Sequence, residues 1–383
     1  MSEVIYTIGT VLFGGGIGDT AYYEVEGLYR NGALRYAIAY DYKQNKVPSS
    51  KIKKLKYLKY LDMPLGFTRA RIFPVLPQYE VMNNLFDSIA SRYVDGAEVF
   101  YGWMNMSLNQ IKRAKKLGIK TIVECASSYP LYQLKILEEE YRKWNIPFKI
   151  RSQKIYLKAL KEIKEADFIK IPSDFVQETF IKNGIPEEKL IKIPFGVDLE
   201  KFQPKDNYNN EIFRAVFVGT VSIRKGVPYL LKAWSELNLK DAQLYVVGAI
   251  SPDVKMIIAK YSKLKSIIFT GRVKDIVPIL RESDVFVFPS IEEGSALVTY
   301  EAMASGLPSV VTYNSGSIVR DEKDGFVIPI RDVKSLKDRI QYFYDNPSEV
   351  KRMGKNARKH VEEYTWYNYG ENLYNELKRF GLL

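Results

Sequence analysis

The chain has 383 residues, 46% of them hydrophobic and 27% charged, a balance that fits a globular protein and excludes a disordered or fibrous one. That length exceeds one comfortable core and predicts two domains. A formal net charge of +12, heavier in residues 1–198, points to an anionic partner: a phosphorylated ligand, nucleic acid or an acidic membrane surface.

From the amino terminus, VIYTIGTVLF reads as an apolar strand, followed by the glycine loop Gly14 to Gly18, a helical pattern (TAYYEVEGLYRNG) and a second strand, LRYAIAYDY. No run of about 18 apolar residues follows, so no bilayer-spanning helix is predicted. The opening residues enter a strand rather than a Lys-led signal, which predicts a cytoplasmic protein. SKIKKLKYLKYL (50–61) repeats Ile52, Leu55, Leu58 and Leu61 every three residues with lysines between them. As a helix it would rest on an anionic membrane surface, making the protein peripheral, or serve as an ordinary domain helix with a basic face. Later strands are predicted at AEVFYG, KTIVECA and DFIKIPS, so alternating strands and helices predict a parallel doubly wound sheet. Cys125 is the single cysteine, which rules out an internal disulfide and fits a reducing compartment.

Around Pro194 the texture changes: IPFGVDLEKFQPKDNYNNEIF gathers Pro, Gly, Asp and Asn and reads as a linker. A second alternation then runs through FRAVFVGT, AQLYVVGA, SIIFTG, DVFVFPS, LPSVVTY and GFVIPI, with helical sequence between most of them. The division is residues 1–195, 196–365 and a closing helix, 366–383, able to pack back on the first domain. His360, the only histidine, reads as a surface helix position. Histidine-ligated metals and Ser-His-Asp or Cys-His machinery are therefore excluded unless His360 serves. No Asp-x-Asp pair is present to clamp a metal against a diphosphate, so no metal or other cofactor is expected, and anions fall to backbone amides, Lys and Arg. No recognition motif accompanies the basic charge, so nucleic acid is not an expected partner. A dinucleotide-binding reading of Gly14-x-Gly16 fails at its third position, which is Asp19.

The second half resembles glycosyltransferase family 4, retaining enzymes of the GT-B fold. IPFGVDLEKFQP, FVGTVSIRKGVPYLLKAW, FTGRV, DVFVFPSIEEGSALVTYEAMASGLPSVVT and DGFVIPIRD occur in the family's order, with the Glu-x7-Glu spacing at Glu293 and Glu301. The first half matches weakly, through its glycine loop and ADFIKIPSDF. The resemblance implies an α/β, GT-B chain: two Rossmann-like doubly wound domains facing across a cleft. It implies transfer of a sugar, most simply a hexose, from a nucleotide-diphosphate sugar such as a UDP- or GDP-sugar. The acceptor would be a hydroxyl of a lipid-linked or polysaccharide intermediate, and the anomeric configuration would be retained.

A carboxylate accepts two hydrogen bonds and suits a vicinal diol. By motif position Glu301 would hold the ribose and Glu293 the transferred sugar, while Glu292 reads as a surface residue. Ser295 reads as an N-cap, with the amides of Ala296 and Leu297 beside Gly294 facing the donor. Lys225 matches the family's diphosphate lysine. The family's arginine after the loop's first glycine is Thr220 here, which leaves Arg224 to supply the second cation. Gly15, Gly16, Gly219, Thr220, Gly271, Arg272 and Val273 complete the donor set; Asp19, Glu124, Ser127 and Tyr129, at first-domain strand ends, form the acceptor or sugar side. A GT-B-like sugar-nucleotide epimerase and a non-catalytic nucleotide-sugar-binding subunit are the alternatives. The first needs additional acid–base groups that a histidine-poor chain supplies badly.

Overall fold

The computed structural model describes residues 2–58, 78–149, 152–205 and 212–383. Short Val/Ile-rich strands, buried along most of their length, alternate with helices that cover both faces, the pattern of parallel sheets. The first sheet runs, edge to edge, Ile52–Lys54, Leu34–Ala39, Val4–Thr7, Val99–Trp103, Lys120–Glu124, Phe168–Ile171, Leu190–Lys192. The second runs Ile267–Gly271, Ala242–Val247, Phe213–Val218, Val285–Phe288, Ser309–Thr312, Gly325–Ile328. Every pairing in both is parallel. The first predicted strand is broken: Val4–Thr7 enters the large sheet, whereas Val11–Leu12 pairs with Asp41–Tyr42 in a two-stranded ribbon.

The structure departs from a single helix over the first part of the basic stretch 50–61. Ile52–Lys54 is an edge strand beside Leu34–Ala39, and Ile52, Leu55 and Leu58 are buried in the core. Lys53 and Lys54 lie over the rings of Tyr93 and Tyr42 at 4.0 and 4.4 Å. These three apolar side chains serve the core; residues 59–61 lie outside the described residues. Among the described residues no helix is long and apolar enough to cross a membrane.

The chain returns to the first domain through its last helix, Trp366–Arg379, which lies against Ile17–Arg30. Their contact is backbone-close: a Cβ on Gly27 would stand 2.5 Å from Gly370 Cα. Arg30 pairs with Glu371 at 2.8 Å and Tyr23 stacks on Trp366 at 4.6 Å. Beneath this contact is a wholly buried polar cluster. Lys170 Nζ is 2.7 Å from Glu124 and 3.0 Å from Glu24, Tyr101 donates to Glu124 at 2.7 Å, and Tyr369 donates to Glu24 at 2.5 Å. Glu124 therefore belongs to the core and not to an acceptor surface, correcting its sequence-based assignment: the strand end at Glu124 is roofed by the C-terminal helix. Burial, reinforced by Glu24 and opposed by Lys170, pushes its carboxyl up to about 8.

A carboxyl that titrates higher in the folded than in the unfolded chain makes the folded state bind more protons between its two pKa values. Stability then falls as pH rises from about 4.5 to about 8 and levels off above. Denaturant unfolding of the parent from pH 5 to 9 is expected to show this decline, and Glu124→Gln to flatten it. An unchanged slope in Glu124→Gln would assign the dependence elsewhere.

Candidate active site

Parallel α/β sheets offer their strand carboxyl ends to ligands. Here the ends of the two sheets face each other, and the loops Gly219–Gly226 and Ser290–Ala296 of the second domain meet Ala126–Ser128 and Ser173 of the first. Gly226 has φ +69, and a Cβ there would stand 1.9 Å from Pro289 O, so glycine alone lets the two second-domain loops touch. Ile291 N–H donates to Arg224 O at 2.9 Å, stitching them together. Gly294 likewise admits no side chain: its Cβ would lie 1.9 Å from Ala126 O across the domain boundary. Ser173 Oγ donates to Gly294 O at 2.6 Å.

Glu292 is the centre of this contact, fully buried where the sequence reading placed it on the surface. Its Oε1 accepts from Ser127 Oγ at 2.8 Å and Ser128 Oγ at 2.7 Å, and its Oε2 from Gln133 at 3.1 Å and Arg224 at 3.0 Å. Burial alone would raise its carboxyl; Arg224, Ser128, Ser127 and Gln133 together hold it below the usual range. Arg224 reaches on to Glu293 at 3.0 Å, and Lys225 pairs with the same Glu293 oxygen. Burial lowers the Arg224 pKa, but Glu293 and Glu292 reverse the shift and hold the guanidinium charged. For Lys225 burial wins over Glu293, and its ammonium titrates below the ordinary lysine value. Two carboxylates and two cations thus balance, and the arginine is held by a carboxylate that first-domain donors anchor.

Beyond Glu293 the helix spans Leu297–Ala304. Ser295 is not its cap: Ala296 occupies that position, and Ser295 Oγ donates to Gly316 O at 2.8 Å and pairs with Tyr300 Oη at 2.9 Å. The Ala296 amide is also occupied, donating to Ser315 O at 3.1 Å, so of the two amides named only Leu297 lacks an acceptor among the described residues. Glu301, one turn on, is half-buried, and its carboxylate has no hydrogen-bond or ion-pair partner among the described residues. Burial raises it to about 7, with distant Lys201 pulling the other way. A half-buried carboxylate without donors is a ready acceptor for hydroxyls.

The remaining predicted residues divide. Gly219, at φ +151, and Gly271, at φ +67, lie at the ends of strands that flank Ala242–Val247, with the exposed Thr220 and Arg272 and the half-buried Val273 beside them. Gly15 and Gly16, at φ +99 and +59, border open space, since a Cβ on either would meet nothing within 4 Å. Asp19 accepts the Gly15 N–H at 2.9 Å and so fixes this loop. Ser127 is committed to Glu292, and Tyr129 packs edge-on against Phe180 at 5.3 Å, buried; both belong to the domain contact and core rather than to a free acceptor surface. His360 is not solvated but half-buried, its Nδ1 2.9 Å from Asp324.

Sequence reasoning missed the rest of the domain contact: Glu140 accepts from Tyr229 at 2.5 Å and Arg331 at 2.6 Å, and Tyr141 donates to Asp253 at 2.8 Å. The only signal was the helix's own pattern, in which Glu140 falls on the apolar face. Glu292→Ala removes hydrogen bonds from three first-domain groups and half of Arg224's pairing. A loss of about 1.5–3 kcal/mol, the scale of one hydrogen bond to a charged group, is expected in urea unfolding; an unchanged midpoint would mean the contact carries no stability.

Known proteins resemble the chain in sequence over its second half and in fold over its whole length. Residues 213–346 fit the family model described as Glycosyl transferases group 1. An Escherichia coli UDP-Gal:alpha-D-GlcNAc-diphosphoundecaprenol alpha-1,3-galactosyltransferase is 32% identical over 192 residues, covering 45% of this chain and 49% of that protein. The capsular polysaccharide biosynthesis glycosyltransferase CapM of Staphylococcus aureus is 26% identical over 215 residues, covering 51% and 57%. The chain thus spans about half the length of the curated relatives it matches. Among solved structures, sucrose-phosphate synthase from Thermosynechococcus elongatus superimposes with a TM-score of 0.72 at 18% identity, covering 100% of this chain and 99% of that one. HepE of Anabaena, in complex with UDP and glucose, gives 0.66 at 13%, covering 99% and 100%. The whole chain therefore has the GT-B fold, and its second domain carries the Glycosyl transferases group 1 sequence pattern.

Proposed function

We propose that the protein is a glycosyltransferase that moves a sugar, most simply a hexose, from a nucleotide-diphosphate sugar to a hydroxyl of a lipid-linked or polysaccharide acceptor. The observation that carries this reading is Glu301: a half-buried carboxylate without a partner among the described residues, eight residues from a second carboxylate, Glu293, that is tied to two cations. In this reading Glu301 accepts the ribose hydroxyls. Lys225 and Arg224 meet the diphosphate, and Glu293 turns from them to the hydroxyls of the transferred sugar. Similar proteins support the substrate class: HepE, alike in fold, was crystallised with UDP-glucose, and the Escherichia coli enzyme is named for UDP-Gal and a diphosphoundecaprenol acceptor.

The step we assign is retaining. The bond between the anomeric carbon and the β-phosphate oxygen breaks, the acceptor oxygen bonds to that carbon from the same face, and its proton passes to the departing diphosphate. No side-chain base is required. The protein's contribution is electrostatic, stabilising charge as it develops on the leaving group. The Glu292 bridge supports this by fixing Arg224, since a donor held in place before reaction costs no reorganisation during it. In this reading the Gly15–Gly16 backbone, open on its outer side, approaches the donor from the first domain, and no metal is assigned a part in the step.

Lys225→Ala is expected to lower turnover by about 100- to 1,000-fold, the usual effect of deleting one such charge-stabilising group, with little change in melting temperature. Equal turnover in variant and parent would remove Lys225 from the chemistry. Since the hydroxyl-accepting form of Glu301 is the ionised one and its carboxyl titrates at about 7, UDP affinity is expected to rise with pH up to and through that value. Calorimetry from pH 5.5 to 8.5 measures this, and Glu301→Ala should both weaken binding and abolish the trend. A flat affinity profile in the parent would contradict the ribose contact.

A further inference from the structure

A cavity of about 250 Å³ lies in the first domain, away from the donor loops, bordered by Asn83, Asn84, Asn105, Lys154, Lys158 and Lys161. Two of its polar atoms are buried with no partner among the described residues, Asn83 Nδ2 and Asn105 Oδ1, and Asn83 is only 4% exposed. Leaving a buried donor or acceptor unpaired costs about 1–3 kcal/mol, so one of each beside the same space calls for a ligand carrying both. Asn105 stands at φ +73, a left-handed backbone that asparagine adopts more readily than most residues other than glycine. Glu162 fixes it there, accepting the N–H groups of Asn105 at 2.5 Å and Ser107 at 2.8 Å.

The charge around the cavity is unbalanced. Lys158 is committed, 2.9 Å from both Asp87 and Asn84 Oδ1, and Glu80 is committed to Ser152 at 2.7 Å. Lys154 and Lys161, two turns apart along the helix Gln153–Glu165, have no acidic partner among the described residues. Asn105 follows the strand Val99–Trp103, whose end faces the domain boundary, and its neighbour Met106 receives the Gly9 N–H on its sulfur at 3.1 Å. Gly9 begins the segment leading to the Gly14–Gly16 loop. The cavity therefore lies on the same rim of the first sheet as that loop, one strand over.

We propose that this cavity binds an anionic sugar unit of the acceptor, a saccharide bearing a phosphate or a carboxylate. Lys154 and Lys161 meet the charge, and the carboxamides of Asn83 and Asn105 take hydroxyl groups. The word acceptor rests on the glycosyltransferase reading; the ligand chemistry rests on the cavity alone. Specificity comes from the carboxamides, because a site built to pair hydroxyls rejects a ligand that lacks them.

The test uses the full chain at low salt, titrated in turn with glucose 1-phosphate, glucuronate, inorganic phosphate and glucose, and followed by NMR or calorimetry. A charged sugar should bind more tightly than both inorganic phosphate and glucose, glucose 1-phosphate leading for a phosphate-bearing acceptor and glucuronate for a uronate one. K154A/K161A, two exposed changes outside the donor machinery, should weaken that binding about tenfold or more, the scale of losing one charge-assisted hydrogen bond. Asn105→Gly keeps the left-handed backbone and should erase the preference over inorganic phosphate. Undiminished binding in K154A/K161A, or a parent that binds glucose or inorganic phosphate equally well, would overturn the proposal. A parallel UDP titration of the parent separates the two readings: failure to bind UDP would sink the donor site while leaving the cavity result intact.

Discussion

A carboxylate removed from water has to be answered by donors and charge, and Glu292 is the place where this constraint organises the molecule. Its donors come from the first domain, Ser127, Ser128 and Gln133, and its countercharge from the second, Arg224. Separating the domains would strand the carboxylate. Losing it would release Arg224 from the geometry that sets Glu293 and Lys225. One side chain thus links the join between two cores to the charges proposed to hold a diphosphate. The glycine at position 294 serves the same end sterically, since any side chain there would collide with Ala126.

The rest of the boundary repeats this logic with different chemistry. Glu140 draws Tyr229 and Arg331 across, and Tyr369 brings the last helix onto the buried trio of Glu24, Glu124 and Lys170. These polar joins accompany apolar ones, since Trp144 packs edge-on against Tyr229 at 5.3 Å and Phe175 against Tyr313 at 6.0 Å across the same boundary. Arg224 is 36% exposed while Glu292 beside it is fully buried. The cation therefore borders the cleft while its partner anchors it, an arrangement suited to a group that must be both fixed and reachable.

Much of this was legible in the chain. Alternation of apolar strands with amphipathic helices predicted the two parallel sheets, because the central strands are buried on both faces and most helices on one, so periodicity carries the information. The second-domain loops were legible because their glycines are forced by backbone approach, as at Gly226. What failed had a common cause: burial decided by another part of the chain. Glu292 read as a surface residue because nothing local reveals that Ser127 and Ser128 would cover it. Glu124 and Tyr129 lie near a strand end that ordinarily faces ligand, yet the C-terminal helix and Phe180 enclose them. The spacing of Ile52, Leu55 and Leu58 fitted a helix, but an open edge beside Leu34–Ala39 took Ile52–Lys54 as a strand, a tertiary pairing that overrides local periodicity.

The account stands or falls on where an intact donor sits. A crystal structure of the protein with a UDP-sugar bound tests this directly. The account predicts the ribose hydroxyls on Glu301, the diphosphate against Arg224 and Lys225, and the sugar beside Glu293. A donor resolved elsewhere in the molecule, with Glu301 still unpartnered, would contradict it.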